Sequence, residues 1–259
     1  MTVELYYFQP LGTNSGRVYL TLLEKGVPFL GHHLSGRDFE HLKPEYLKIN
    51  PRGQVPAMVH DGVALYEGMT MNEYIDEAFE GPALRPANLV ERERMRVWCR
   101  WSENDLGRCL MMINWNRIMP TFIGARDMKE VDEILAKVPD LDRRRSWKSA
   151  FEQKTPPEMI EESHRRTREA IKRIEAQLSK TPYFSGKTYS LADIDFLNFC
   201  GGILMMWMPD LVNEKATPAF WDWNQRVNAR PAVIEMRAQR TGMPTQPPAQ
   251  AAAAAQQSR

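Results

Sequence analysis

Cysteine is scarce in this chain, and the spacings that give cysteine a structural or redox role are missing. Its 259 residues include only Cys99, Cys109 and Cys200, without the Cys-x-x-Cys spacing of zinc sites or redox motifs. We therefore expect no disulfide framework and no metal site, but reduced thiols in a cytoplasmic protein. No cysteine lies within residues 1–92, which argues against redox chemistry through a protein thiol in that part of the chain.

The chain also lacks an excess of charge and a hydrophobic run long enough for a membrane span. Its formal net charge of +1 provides no electrostatic surface for nucleic acid or for an anionic membrane. The longest apolar stretch, Phe196–Met208, is shorter than a transmembrane helix and includes Asn198, so we predict a buried core helix. Residues Met1–Leu5 lack the basic and apolar regions of a signal peptide, and none is expected.

The length and the order of elements predict two domains. Hydrophobic residues make up 43% and charged residues 26% of the chain, a globular composition, and 259 residues exceed one small domain. Strand, helix and strand patterns are followed by a hairpin over Asp61-Gly62 and by a further helix. This order predicts a thioredoxin-like α/β domain over residues 1–80, with a linker at 81–89.

The remainder of the chain predicts an all-α domain over residues 90–240. Helical periodicity over Val90–Trp115 and Glu158–Leu178 flanks a polar, proline-containing insertion near residues 120–157. The segment Ser190–Asp193 has the pattern of a capping box and precedes the apolar helix. Residues 241–259, rich in proline, glutamine and alanine, predict a disordered tail.

The segment Asn50–Pro56, with the sequence Asn-Pro-Arg-Gly-Gln-Val-Pro, is the strongest functional signal. Val55-Pro56 is predicted to be a cis bond, and the Val55 N–H and C=O are predicted to face outward and pair with an extended peptide. Eleven residues later, Glu67-Gly68 begins a helix, where a carboxylate can hold an ammonium and the helix amides can hold a carboxylate. These features predict a receptacle for a zwitterionic γ-glutamyl peptide. The alternative is an ordinary turn followed by a solvated N-terminal Glu.

The order of these two motifs resembles the thioredoxin-like domain of the glutathione transferases, and the capping box resembles their helical domain. The resemblance implies glutathione as co-substrate. It places Gln54, Val55, Pro56, Glu67 and Gly68 in the glutathione-binding site. It also places His41 and Lys43 near the glycine carboxylate, although both fit a solvated helix face as well. Many family members have Ser where this chain has Gly68, which lacks the hydroxyl that donates to the γ-glutamyl carboxylate.

Glutathione chemistry requires a thiolate near neutral pH, whereas a free thiol has a pKa of about 8.5. Lowering that pKa by about two units requires roughly 2.7 kcal/mol of differential stabilisation. Ser15 lies at the change from the first strand to the first helix, where a hydroxyl and the helix N-terminus can supply it. Asn14 is the competing donor and Tyr7 a third candidate. Alternatively, Asn14 and Ser15 only cap the helix.

Most of the chain, from Leu5 to about Met236, further resembles the bacterial glutathione-dependent β-etherases, which cleave lignin-derived β-aryl ethers. In that family, the glutathione thiolate attacks the ether-bearing carbon beside a ketone and expels a phenolate. The resemblance implies a homodimer and an aromatic-lined pocket. Its predicted residues, each of which also fits ordinary core packing, are Leu11, Met112, Trp115, Met119 and Trp207. The rival hypotheses are a general transferase or disulfide-bond reductase, and a glutathione-fold binding protein without turnover.

Overall fold

The N-terminal domain contains a mixed four-stranded sheet. The structure, a computed structural model, describes residues 2–9, 14–123 and 126–239, without the side chains of residues 119–123. The strands are β1 (Val3–Phe8), β2 (Leu30–Leu34), β3 (Ala57–His60) and β4 (Val63–Tyr66), in the order β2-β1-β3-β4. Strand β1 runs parallel to β2 and antiparallel to β3, and β3 pairs with β4 through the predicted hairpin. The thioredoxin-like prediction is confirmed.

Three helices and a 3-10 turn complete this domain. They are α1 (Asn14–Lys25), the turn Glu40–Leu42, α2 (Pro44–Leu47) and α3 (Gly68–Ala78). Helix α1 includes Asn14 and Ser15 in its first turn. Gly16 lies inside this helix. A side chain is excluded there, because a Cβ built on Gly16 would lie 2.6 Å from Asn198 Oδ1. Helix α2 is separate from the 3-10 turn because Pro44, its first residue, has no N–H to continue that turn.

The C-terminal domain is helical, as predicted. Its elements are α4 (Leu89–Trp101), α5 (Gly107–Ile123), α6 (Met128–Leu135), α7 (Leu141–Phe151), α8 (Pro157–Leu178), α9 (Leu191–Phe196), α10 (Gly202–Trp207), α11 (Pro218–Asn228) and α12 (Pro231–Ala238). Two π-helical segments, Ser102–Leu106 and Leu197–Gly201, join α4 to α5 and α9 to α10. The predicted apolar helix is therefore interrupted by a π segment. No described helix is both long and apolar enough to cross a bilayer.

The predicted insertion contains helices α6 and α7, which pack back onto the N-terminal domain. Asp127 and Asp140 cap these helices by accepting from backbone N–H groups three residues later. The buried cluster that they complete joins Phe39 and Leu42 of the first domain with Val131, Leu135, Val138, Ala150 and Phe151 of the insertion. The insertion therefore reaches the turn that precedes the Asn50–Pro56 segment.

The predicted capping box organises the centre of the helical domain. The Ser190 N–H donates to Asp193 Oδ2 at 3.0 Å, and Asp193 Oδ1 accepts from Trp223 Nε1 at 2.8 Å and the Phe184 N–H at 3.2 Å. Burial raises the pKa of Asp193 to about 6 despite these donors, so the carboxyl is ionised at neutral pH. Asp193 thus joins three segments of the core, which is a structural role.

We predict that Asp193→Ala lowers the free energy of unfolding by about 3 kcal/mol or more. The loss of a cap costs about 1 kcal/mol, and the buried donors of Trp223 and Phe184 each lose a partner. Urea unfolding measures this change. Asp127→Ala, which removes an exposed cap, is the control and should cost about 1 kcal/mol. Equal losses in both variants, or loss of ligand binding in folded Asp193→Ala, would contradict the structural assignment.

Candidate functional site

The Asn50–Pro56 segment forms a turn that is held from within. Asn50 is buried; its Nδ2 donates to the Gln54 carbonyl at 2.7 Å, and its Oδ1 accepts from the Arg52 N–H. The Gln54 carbonyl also accepts from the Tyr46 hydroxyl. Gly53 has a φ of +55°, and Leu42 packs against the place where a side chain would start. The hydrogen bonds explain the Asn at position 50, and the positive φ and the close contact with Leu42 explain the Gly at position 53.

The end of this turn presents the predicted peptide-binding backbone. The Val55-Pro56 bond is cis, as predicted. Within the described residues, the Val55 N–H and C=O form no hydrogen bond, and the residue is half-buried. An extended peptide can therefore pair with them as with a strand edge.

Glu67 and Gly68 lie beside this edge at the N-terminus of α3. Glu67 has a φ of +77°, which is uncommon for a residue with a side chain, and its carbonyl accepts from the Met71 N–H. Its carboxylate is 44% exposed and lies 2.5 Å from Arg52 Nη1. Gly68, the first residue of α3, is buried. The site thus offers an accessible carboxylate next to the amide end of a helix.

The structure separates the two donors that were predicted for the thiol. Ser15 is 0% exposed, and its oxygen accepts from the Phe8 N–H at 3.0 Å, which ties β1 to α1. Asn14 is half-buried, and its Oδ1 has no hydrogen-bond partner among the described residues. Ser15 is therefore the more enclosed of the two candidates and Asn14 the more accessible one, and the roles of both stay predictions. Tyr7 packs edge-on against Tyr19, which favours a packing role.

The predicted contacts of the glycine carboxylate differ in charge. Burial, reinforced by Arg143, lowers the pKa of His41 to about 4, so this ring is neutral at pH 7. Lys43 is exposed and donates to Glu40 Oε1 at 2.8 Å.

Sequence reasoning missed Arg143 of α7, whose Nη2 donates to the Arg52 carbonyl at 2.6 Å. Arg143 lies 91 residues from Arg52, so no local pattern could have paired them. The roles of His41, Lys43 and Gln54, whose side chain is exposed, stay predictions.

The predicted aryl pocket is only partly within the described residues. Leu11 and the side chain of Met119 lie outside them. Trp115 packs against Trp147 with ring centroids 5.0 Å apart, beside the cluster that joins the insertion to the first domain. This contact favours core packing for Trp115. Trp207 lies under the Arg117 guanidinium at 4.8 Å, and Met112 is half-buried.

The fold and this site define the class of the protein. Residues 13–78 match the family model of the glutathione S-transferase N-terminal domain, and residues 111–231 match that of the C-terminal domain. The chain belongs to the glutathione S-transferase family. Among the described residues, no group of three His, Cys, Asp or Glu side chains is arranged to hold a metal ion.

Among its relatives, the chain is similar to Protein LigF from Sphingobium sp. strain SYK-6, with 36% identity over 91% of this chain and 93% of LigF. The crystal structure of the β-etherase LigF matches with a TM-score of 0.87 and 35% identity, over 92% of this chain and 100% of LigF. Glutathione transferase F7 from Populus trichocarpa matches with a TM-score of 0.69 and 24% identity, over 93% and 100% of the two chains. The last likeness supports the fold alone.

We predict that Glu67→Ala weakens glutathione binding by about 2 kcal/mol, or roughly thirtyfold in Kd, because a charge-assisted bond to the γ-glutamyl ammonium is lost. Titration calorimetry measures the Kd. Glu73→Ala is the control, since Glu73 also belongs to α3 but pairs with Arg96 away from the site. An unchanged Kd in folded Glu67→Ala would remove Glu67 from the binding site.

Proposed function

We propose that this protein is a glutathione-dependent β-etherase that acts on lignin-derived β-aryl ethers. The observation that carries this proposal is the likeness to LigF, a β-etherase, over nearly the whole of both chains. The TM-score of 0.87 exceeds the 0.69 of the plant transferase over a similar share of this chain. The likeness therefore extends beyond the fold that glutathione transferases share.

In the proposed reaction, the glutathione thiolate displaces a phenolate from the carbon next to a ketone. A C–S bond forms and the C–O bond of the ether breaks, with the electron pair leaving on the phenolate oxygen. The adjacent carbonyl activates the carbon toward displacement. The products are one glutathione thioether and one phenol, and the thiol proton balances the phenolate.

The site residues fit the parts of glutathione. The unpaired Val55 backbone suits the peptide, and the exposed Glu67 carboxylate suits the γ-glutamyl ammonium. At the glycine carboxylate, we propose Lys43 and Gln54, with a neutral N–H from His41. The half-buried Met112 and Trp207 support an apolar wall for the aryl groups. We propose that Trp115 acts there only indirectly, through its contact with Trp147.

The test supplies three substrates together with glutathione: a β-aryl ether with a neighbouring ketone, the same ether with a neighbouring alcohol, and a simple disulfide. We expect the ketone alone to give phenol and glutathione thioether in equal amounts. Chromatography with mass detection measures both products. Disulfide reduction without phenol would instead indicate a reductase, and glutathione binding without turnover of any substrate would indicate a binding protein.

We propose that Asn14 and Ser15 together stabilise the thiolate. Asn14 is half-buried at the start of α1, and the Ser15 oxygen accepts from Phe8, which leaves the hydroxyl hydrogen to donate. We expect each Ala variant to raise the pKa of bound glutathione and to lower turnover at neutral pH, with partial recovery at alkaline pH. The double variant should exceed either single one, since both donors serve one charge. Thiolate absorbance against pH measures the pKa, and an unchanged value in all variants would exclude both residues.

We propose a homodimer in the cytoplasm. On α4, the exposed side chains of Val90 and Val97 lie two turns apart on one stripe, a surface that a second copy can cover. The three cysteines are free and buried, which suits a reducing compartment. Light scattering would measure the molar mass, and a mass near the monomer's 30.0 kDa would exclude the dimer. Cell fractionation tests the location.

A further inference from the structure

The first turns of α8 and the loop that joins it to α7 form an open cleft with a volume of about 620 Å³. We call it the α8 cleft. Its lining includes Thr155, Pro157, Ile160, Glu161, His164 and Arg168. None of these residues belongs to the proposed glutathione site or to the predicted aryl pocket. Sites for small molecules typically occupy about 300–1,000 Å³, so the cleft has room for a ligand.

One stripe of α8 supplies the polar side chains of the cleft. Glu161, His164 and Arg168 are spaced three and four residues apart, so they lie on one face of the helix. Within the described part of the chain, none of the three forms a hydrogen bond or an ion pair. Arg165, one residue beyond His164, pairs instead with Glu162. The polar groups that face the cleft are therefore available to a ligand.

The two ends of the stripe carry opposite charge. Arg168 is joined at one end by Arg117 of α5, which lies over the Trp207 ring. Burial and these two guanidinium groups lower the pKa of His164, so its ring is neutral at pH 7. Glu161 lies at the other end, about 10.5 Å from Arg168 along the helix axis. The His164 ring lies between the two ends and is half-buried.

We propose that the α8 cleft binds a hydroxylated aromatic acid, with a carboxylate at one end of the ring and a hydroxyl at the other. The Arg168 guanidinium, with Arg117 nearby, suits the carboxylate. The hydroxyl donates to Glu161, and the ring packs against His164 and the half-buried Ile160. One aromatic ring with a polar group at each end spans the gap between the two charged side chains.

The balance of charge favours an anion with a neutral donor. Two guanidinium groups, of Arg117 and Arg168, face one carboxylate, of Glu161, so the cleft keeps an excess of positive charge. A simple anion uses only the cationic end, and an uncharged phenol uses only the other end. A hydroxylated acid uses both. The inference does not depend on ether cleavage, since the cleft and the proposed glutathione site share no residue.

The test measures the binding of three ligands by titration calorimetry: para-hydroxybenzoate, benzoate without the hydroxyl, and para-hydroxybenzyl alcohol without the carboxylate. The proteins are the wild type, Arg168→Gln and Glu161→Ala. Both positions are exposed, so the variants should fold, and circular dichroism checks this. Arg165→Gln is the matched control, because Arg165 is an exposed arginine of the same helix that does not line the cleft.

We expect the wild type and Arg165→Gln to bind para-hydroxybenzoate about tenfold more tightly than the alcohol and about fivefold more tightly than benzoate. Arg168→Gln should weaken both acids about tenfold and leave the alcohol unchanged. Glu161→Ala should weaken para-hydroxybenzoate but not benzoate. Absence of binding by the wild type at millimolar ligand, or the same preferences in all four proteins, would overturn the inference.

Two further measurements locate the ligand. We expect saturating glutathione to leave the Kd of para-hydroxybenzoate unchanged. We also expect the ligand to shift the NMR signal of the Ile160 methyl group, assigned with Ile160→Val. Competition with glutathione, or an unmoved Ile160 signal, would overturn the inference. Failure of the proposed function is distinguishable, because it would abolish ether cleavage and leave both of these results in place.

Discussion

The buried ion pair between Arg17 and Asp195 is the interaction on which the arrangement of the two domains depends. It joins α1 of the sheet domain to α9 of the helical domain across 178 residues of sequence, and both side chains are almost fully enclosed. Removing one partner of such a pair costs about 3–5 kcal/mol, because a charge remains without compensation. Asn72 of α3 donates to the same Asp195, so this carboxylate also holds the helix whose first turn belongs to the proposed glutathione site. The position of α3 is thus set from the helical domain.

A second contact between the domains involves the other end of the proposed glutathione site. The insertion packs on Phe39 and Leu42, and Arg143 of α7 donates to the Arg52 carbonyl within the turn that leads to Val55. Arg52 in turn pairs with Glu67. The insertion therefore acts on the shape of the binding turn through the backbone and through one ion pair. His41 is enclosed by Phe8 and Trp147, and this burial lowers the pKa of its ring to about 4, so that the ring is neutral at pH 7. Cations near the glycine end must then come from elsewhere.

The sequence predicted the features whose causes are local. The turn Asn50–Pro56, the hairpin over Asp61-Gly62 and the capping box at Ser190 each depend on residues within a few positions of one another, so their patterns carry the signal. Arg17 gave no such signal, since its partners Asp195 and Glu103 are remote in sequence. In the sequence, Gly68 is a departure from the Ser that many family members have at this position. The structure supplies a physical reason for the glycine, because the buried Arg17 guanidinium lies where a side chain at position 68 would begin. Trp115 gives an ambiguous signal for a different reason: an aromatic residue on a helix has the same pattern whether it packs against Trp147 or against a substrate.

The two interdomain contacts link the proposed glutathione site to the docking of the domains. Arg17 holds its place beside Gly68 only while Asp195 and Glu103 hold the guanidinium, and Arg143 reaches Arg52 only while the insertion lies on the first domain. A ligand that binds only the docked arrangement stabilises it by RT ln(1 + [L]/Kd), which is about 2.7 kcal/mol at a hundredfold excess over Kd. By the same linkage, substitutions that loosen docking weaken binding without touching the ligand. The thioredoxin-like domain contributes the backbone edge and the helix end. The contacts from the helical domain hold both of these parts of the proposed site in place.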